Sequence, residues 1–168
     1  WDRVQDAQVR VEEAVENVAL AAAVDLTLDD PIHVSAEGMA TLGTRLATLA
    51  ETLVYGGNTK TGPRFASATV AETPYGETVR VRFTGVNGGL QAAGRPYGFS
   101  ISDGPEGGPA GSIYKQEIDP ADPNAVVLWV SQLPDDARLW YGRGANPYVN
   151  LVDEAGLAVP AFGPRPIE

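Results

Sequence analysis

The hydrophobic pattern of this 168-residue chain changes near residue 57, and the change limits the folds that the chain can adopt. Before it, apolar residues recur at helical spacing. After it, almost no helical periodicity remains, and glycine and proline cluster between short alternating or aromatic runs. The sequence therefore predicts an α/β region at residues 1–57 and an all-β region at residues 58–168, joined by a linker at residues 57–63.

The first region carries two helical patterns with an apolar run between them. Residues 2–17 are typical of an amphipathic helix. A second helix is predicted to begin after an N-cap at Ser35 and to end at Gly56. Residues 18–26 are almost all small or β-branched and apolar, which is typical of a strand buried on both faces. Helix, strand and helix indicate an α/β layer, and its sheet needs further strands.

The second region contains six candidate strands. Glycine-rich or proline-rich turns separate them, and they consist of short alternating or aromatic runs. Short strands at this spacing are typical of a β-sandwich. The predicted strands are residues 66–71, 78–84, 97–102, 112–118, 126–130 and 138–141.

Composition narrows the classes of partner. The chain has 22 acidic and 12 basic residues, a net charge of -10, so its surface should repel nucleic-acid phosphates and anionic lipids. It has no cysteine, hence no disulfide framework, thiolate nucleophile or cysteine-ligated metal. The apolar run is too short to span a bilayer. We therefore expect neither nucleic acid nor membrane as a partner, and neither a metal nor a cofactor.

The only histidine, His33, lies in the motif Asp30-Pro31-Ile32-His33, just before the second helix. A carboxylate three residues away can orient an imidazole from within one tight loop and stabilise its protonated form. Pro31 stiffens this loop because it restricts Asp30 to extended conformations. A base of this kind normally serves a serine nucleophile. A surface-loop histidine without a catalytic role is the alternative.

Several segments resemble the region of the catalytic histidine in SGNH (GDSL-type) hydrolases, and most closely the sialate O-acetylesterase group of carbohydrate esterases. They are residues 30–33, 35–38, 42–47 and 54–56. The end of the chain is similar to the β-rich ending of that group at residues 139–142, 146–147, 150–151 and 156–162. The resemblance implies the last helix-strand-helix elements of a flavodoxin-like, three-layer hydrolase domain at residues 1–57, followed by a β-sandwich domain at residues 58–168.

The resemblance also implies hydrolysis of acyl esters, usually of O-acetyl groups on sugars, so the expected substrate is an acetylated carbohydrate. His33 would take the proton from a serine hydroxyl and return it to the leaving sugar oxygen, while Asp30 accepts the ring N–H. Asp29 lies one residue too far from His33 by the family's spacing. No substrate-binding residue is indicated.

The serine block of that family, and the Gly and Asn of its oxyanion hole, do not occur upstream of Asp30. Residues 98–102, 102–104 and 144–146 lack the required patterns. We expect that an N-terminal hydrolase segment or a partner chain supplies the serine and that this chain alone is inactive. The start at Trp1 suggests a processed or truncated product. A secreted, periplasmic, cell-surface or virion-associated location is compatible with the sequence.

Three further features leave alternatives. Arg45 is expected to pair with a carboxylate in a structural role. Acidic residues beside prolines either bind calcium or lie in solvated turns; they are Asp119, Asp122, Asp135 and Asp136. Aromatic residues either stack on a sugar or form the sandwich core; they are Trp129, Trp140, Tyr141, Tyr148 and Phe162. The alternative function is a non-catalytic structural or carbohydrate-binding module of a cell-surface or virion adhesin.

Overall fold

The computed structural model describes residues 2–168, so Trp1 and the prediction attached to it lie outside the described residues. These residues form two helices and nine strands. The helices are α1 (Asp2–Ala14) and α2 (Ala36–Tyr55). The strands are β1 (Arg64–Thr73), β2 (Gly76–Thr84), β3 (Leu90–Gln91), β4 (Phe99–Asp103), β5 (Ile113–Ile118), β6 (Ala125–Val130), β7 (Ala137–Tyr141), β8 (Val152–Asp153) and β9 (Phe162–Pro166).

Both predicted helices are confirmed, and their ends have local causes. The Oγ of Ser35 accepts the Gly38 N–H at 3.0 Å and caps α2. Gly56 then takes a left-handed conformation with φ of 71°, which a residue with a side chain rarely adopts, and α2 ends there. α1 is three residues shorter than predicted, and Asn17 follows it with a φ of 61°. Neither helix is long and apolar enough to cross a membrane.

The predicted strand at residues 18–26 is wrong, and with it the helix-strand-helix order. Residues 18–23 have no regular structure and residues 24–26 form a turn. A strand needs the backbone groups of a neighbouring strand, and residues 2–168 offer none to this segment. Side chains hydrogen-bond to the backbone of this segment instead. Arg64 donates to the Leu20 carbonyl at 2.8 Å, and Arg45 donates to the Ala22 carbonyl at 2.7 Å.

All six predicted strands are confirmed, with ends within two residues of the predicted ones. They lie in two antiparallel sheets, with strand orders β1-β2-β6-β5 and β4-β7-β9. The prediction missed β3, β8 and β9. β3 and β8 have two residues each and pair only with each other. β9 contains Gly163, Pro164 and Pro166, and prolines are tolerated only at the edge of a sheet, where β9 lies.

The two larger sheets share one hydrophobic core, as in a β-sandwich. Val79, Val81 and Phe83 alternate along β2 and are buried, as period-two packing requires. From the other sheet, Phe162 reaches this core, with its ring centroid 6.3 Å from that of Phe83. Leu139 is fully buried in the same cluster. The fold is therefore mostly β, with two helices beside a sandwich.

The N-terminal region is held to the sandwich by arginines. Arg64 of β1 donates to Glu12 of α1 at 2.8 Å. Arg165 of β9 lies 3.1 Å from the Asp6 carboxylate of α1, and Asp6 also accepts from Arg10 at 2.7 Å. These contacts fix α1 against β1 and β9. The domain boundary at residues 57 and 58 stays a prediction.

Candidate active site

The segment that carries Asp30 and His33 is a tight loop closed at its base. Leu28 and Val34 form an antiparallel bridge. Above this bridge, the Asp29 N–H donates to the His33 carbonyl at 2.9 Å. Asp29, the other carboxylate close to His33 in sequence, therefore helps to close the loop through its backbone N–H.

A second layer below the bridge joins the loop to α2. The Ser35 N–H donates to the Thr27 carbonyl at 2.8 Å, and the hydroxyl groups of the same two residues are hydrogen-bonded to each other. Gly38 permits this approach, since a Cβ there would lie 2.6 Å from Cγ1 of Val34. Ser35 thus caps the helix and anchors the loop with one side chain.

The structure brings Asp30 and His33 together as the motif predicts. Nδ1 of His33 lies 2.7 Å from Oδ2 of Asp30. Oδ1 of Asp30 accepts the backbone N–H groups of Ile32 and His33, each at 2.9 Å. The His33 hydrogen bond, together with these two N–H groups, lowers the pKa of Asp30 below its usual value. The carboxylate therefore stays ionised near neutral pH and can only accept.

This hydrogen bond assigns the ring tautomer. Because an ionised Asp30 has no proton to donate, Nδ1 of His33 carries the hydrogen, and in the neutral ring Nε2 keeps its lone pair. The His33 side chain is 70% exposed and that of Asp30 is 48% exposed. Among residues 2–168, Asp30 is the only side chain that hydrogen-bonds the His33 ring. The ring is thus oriented and open to a further partner.

Ser100 and Ser102, the two serines of residues 98–102, lie in β4, and neither has the surroundings of a nucleophile. Ser102 is fully buried, donates to the Gly104 carbonyl at 2.8 Å and accepts the Trp140 indole N–H at 2.8 Å. The hydroxyl of Ser100 is buried as well and has no hydrogen-bond partner. The structure thus agrees with the expectation that these serines do not serve His33.

A largely apolar cavity of about 530 Å³ lies next to the loop. Pro31 and Ile32 of the loop line it together with Leu42 and Leu46 of α2. Residues 19–24 form a further wall, and residues 145–147 of the β-rich region complete it. Its volume lies within the range of small-molecule sites. Both predicted regions of the chain therefore contribute to one cavity beside His33.

One face of α2 is apolar and exposed. Met39 and Leu46 are 55% and 52% exposed, and Leu53, a further seven residues on, is 39% exposed. Residues seven apart lie on the same helix face. We call these three residues the α2 apolar stripe. On the loop, Ile32 is 78% exposed. Exposed apolar side chains on one helix face are typical of an interaction site.

Arg45 has the structural role that the sequence indicates. Its side chain is 5% exposed and donates two hydrogen bonds to the Asp25 carboxylate, at 2.7 and 2.6 Å. It also donates to the Ala22 and Gly156 carbonyls, at 2.7 and 2.9 Å. Arg45 thereby joins α2, the segment before the loop that carries Asp30 and His33, and the β-rich region.

Most of the candidate sugar-stacking aromatics belong to the core. Trp140, Tyr141 and Phe162 are buried, and Trp129 is half-buried with the Lys115 ammonium 4.0 Å from its ring centroid. The core interpretation is therefore confirmed for the three buried rings. Tyr148 is the exception, at 67% exposed.

Sequence reasoning missed the ring that Tyr148 contacts. Tyr97 is 39% exposed, and the two ring centroids are 5.4 Å apart. Tyr97 begins a predicted strand but lies in the loop before β4, so its sequence position gave no sign of this contact.

Asp119, Asp122 and Asp136 form ion pairs within the fold. Arg80 donates to Asp119 and Asp122 at 2.8 and 2.7 Å. The Arg80 hydrogen bond is the main cause that lowers the pKa of Asp119. Asp136 pairs with Arg138. Within residues 2–168 no three His, Asp or Glu side chains are grouped so that they could hold a metal ion.

Comparisons with known proteins identify the fold. No protein-family model and no curated protein matches the sequence. A solved structure of a carbohydrate acetylesterase from Xanthomonas citri is similar, with a TM-score of 0.59 and 23% sequence identity. The likeness covers 82% of this chain and 30% of that esterase chain. The chain thus has a carbohydrate-esterase-like fold over most of its length and spans under a third of that esterase.

Proposed function

We propose that this chain supplies the acid–base pair of a carbohydrate O-acetylesterase of the SGNH type. His33 is the general base and acid, and Asp30 is the carboxylate that orients it. The observation that carries the proposal is the 2.7 Å contact between Nδ1 of His33 and Oδ2 of Asp30 on an exposed ring. The sialate O-acetylesterase-like segments and the esterase-like fold support the choice of reaction.

The reaction follows from the tautomer. Nε2 of His33 takes the proton of a serine hydroxyl as the serine oxygen attacks the ester carbonyl carbon. The imidazolium then gives that proton to the sugar oxygen as its bond to the acyl carbon breaks, which leaves an acyl-serine. Water hydrolyses this ester with His33 again as base and releases acetate. Asp30 stabilises the imidazolium through both steps.

The serine and the oxyanion-hole donors belong, in this proposal, to a hydrolase segment outside residues 1–168, on the same polypeptide or a partner chain. The α2 apolar stripe and Ile32 are the surface it would cover. Burial of the exposed apolar side chains would stabilise the assembly by about 25 cal/mol for each Å² removed from water.

Acetate release tests the proposal. The complete assembly should hydrolyse an acetylated sugar and p-nitrophenyl acetate, while this chain alone should hydrolyse neither. His33→Ala in the assembly should lower kcat by about 10²–10⁴-fold, since general acid–base catalysis contributes that much. Asp30→Asn should also lower it, whereas the matched control Asp29→Asn should not. An assembly with a family-type serine that is inactive, or that ignores His33→Ala, contradicts the assignment.

A further inference from the structure

We propose that Asn87 is a spontaneous deamidation site that the fold keeps closed and that unfolding opens, so that a modified chain no longer refolds to its original stability. The inference is independent of the proposed esterase function. Asn87 is the only asparagine of the chain that a glycine follows, and the pair lies between β2 and β3. Asparagine reacts fastest before glycine, because glycine has no side chain to obstruct the ring closure.

The reaction needs no partner other than water. The backbone nitrogen of Gly88 attacks Cγ of Asn87, gives up its proton and closes a five-membered cyclic imide, while the side-chain nitrogen leaves as ammonia. Water then opens the imide at one of its two carbonyl carbons. The product is an aspartate at position 87, or an isoaspartate in which the chain continues through the former side-chain carbonyl. A carboxylate thus replaces a neutral amide without any oxidation or reduction.

In the folded chain the Asn87 side chain is held at both of its polar atoms. Nδ2 donates to Oδ2 of Asp153 at 2.7 Å and to the Lys60 carbonyl at 3.2 Å, and Oδ1 accepts the Lys60 N–H at 2.8 Å. We call these three hydrogen bonds the Asn87 clamp. The clamp joins the segment between α2 and β1 to β8. Because the attack makes Cγ tetrahedral and releases Nδ2, it has to break the clamp.

The backbone around the reacting atoms is held as well. The Asn87 N–H donates to Oδ2 of Asp153 at 3.0 Å, and the Asn87 carbonyl accepts the Glu154 N–H at 3.2 Å. A Cβ at Gly88 would lie 2.1 Å from Oε2 of Glu154, so a carboxylate lies beside this glycine. A neighbouring negative charge disfavours the loss of the Gly88 amide proton that the attack requires. The fold therefore protects Asn87, although Gly88 itself is exposed.

The product of the reaction cannot rebuild the clamp. Asp153 is 1% exposed, and its Oδ1 already accepts the N–H groups of Ala155 and Leu157, each at 3.0 Å. A side-chain carboxylate at position 87 has no N–H for Oδ2 of Asp153, which Nδ2 of Asn87 approaches to 2.7 Å. Two carboxylates in one buried site destabilise each other. Deamidation is thus an irreversible mark that an unfolding event leaves on the chain.

Peptide mapping by mass spectrometry tests the protection. In mildly alkaline buffer, Asn87 in the native 168-residue chain should deamidate at least about tenfold more slowly than in guanidinium chloride, since opening breaks hydrogen bonds to a charged group. The exposed Asn58 is the internal control, and its rate should differ far less between the two states. Equal rates at Asn87 in the two states, or a faster reaction of another asparagine in guanidinium chloride, overturn the inference.

The substitution Asn87→Asp tests the consequence without the slow chemistry. In urea unfolding it should lower the folding equilibrium constant roughly 10- to 100-fold, as expected for a buried acceptor that loses its donor. The matched control Asn58→Asp makes the same charge change at an exposed side chain and should change the constant less than about threefold. Equal stability of the two variants would overturn the inference.

Discussion

Replacement of Arg45 by alanine should destabilise the chain more than any single surface change, because it leaves a buried charge unpaired. Asp25, with a side chain 11% exposed, would lose two hydrogen bonds from the guanidinium. The carbonyls of Ala22 and Gly156 would lose their donors as well. Removal of one partner of a buried ion pair costs about 3–5 kcal/mol. We expect Arg45→Ala to lower the free energy of unfolding by about 4 kcal/mol.

Urea unfolding followed by tryptophan fluorescence measures this loss. With an m-value of about 2 kcal/mol/M, the midpoint should fall by about 2 M. The control is Arg3→Ala, which removes an ion pair to Glu106 whose side chains are 84% and 78% exposed. It should cost less than about 1 kcal/mol. A double-mutant cycle with Asp25→Asn isolates the buried pair. The reasoning is refuted if Arg45→Ala and Arg3→Ala have the same effect.

Three further predictions concern the loop and α2. Because the pKa of Asp30 is lowered in the folded chain, its stabilisation of the loop is present above the unfolded pKa of about 3.9 and is lost as pH falls through the folded pKa. The NMR shifts of the loop amides should follow this loss, and loop amides that do not titrate would contradict it. Gly38→Ala should lower the free energy of unfolding by about 1–3 kcal/mol, because the new Cβ meets Val34. Gly43→Ala, with open space around it, should raise it by up to about 1 kcal/mol in the same unfolding assay, and equal effects of the two changes would contradict the packing. Leu46→Glu should leave the stability of this chain within about 0.5 kcal/mol but weaken its co-purification with a serine-bearing segment; an unchanged yield would exclude the stripe as the interface.

The parts of the fold that the sequence predicts are those with local causes. α2 follows from the Ser35 cap, its apolar spacing and the Gly56 stop, and the six strands follow from alternation between turns. The apolar run at residues 18–26 reports a tendency to be buried, but composition alone does not specify which backbone a strand pairs with. That information is non-local, so the prediction failed there. The sequence did not predict β9 because this strand contains Gly163, Pro164 and Pro166, and glycine and proline are poor strand formers.

In the candidate site, too, the sequence predicts the local contacts and not the long-range ones. Asp30 and His33 are three residues apart in one loop, so their spacing nearly determines their contact. Arg45 and Asp25 are twenty residues apart, and the sequence indicated only that Arg45 needs some carboxylate. Tyr97 and Tyr148 meet through the sandwich topology, and no local pattern in either segment predicts that contact.

The central claim is that His33 activates a serine that lies outside this chain. Labelling of the complete assembly with a fluorophosphonate probe, followed by peptide mapping, tests both halves of the claim in one measurement. We predict one labelled serine, located outside residues 1–168, and a loss of most labelling in His33→Ala. A labelled serine within this chain, or labelling that is as fast without His33, would contradict the account.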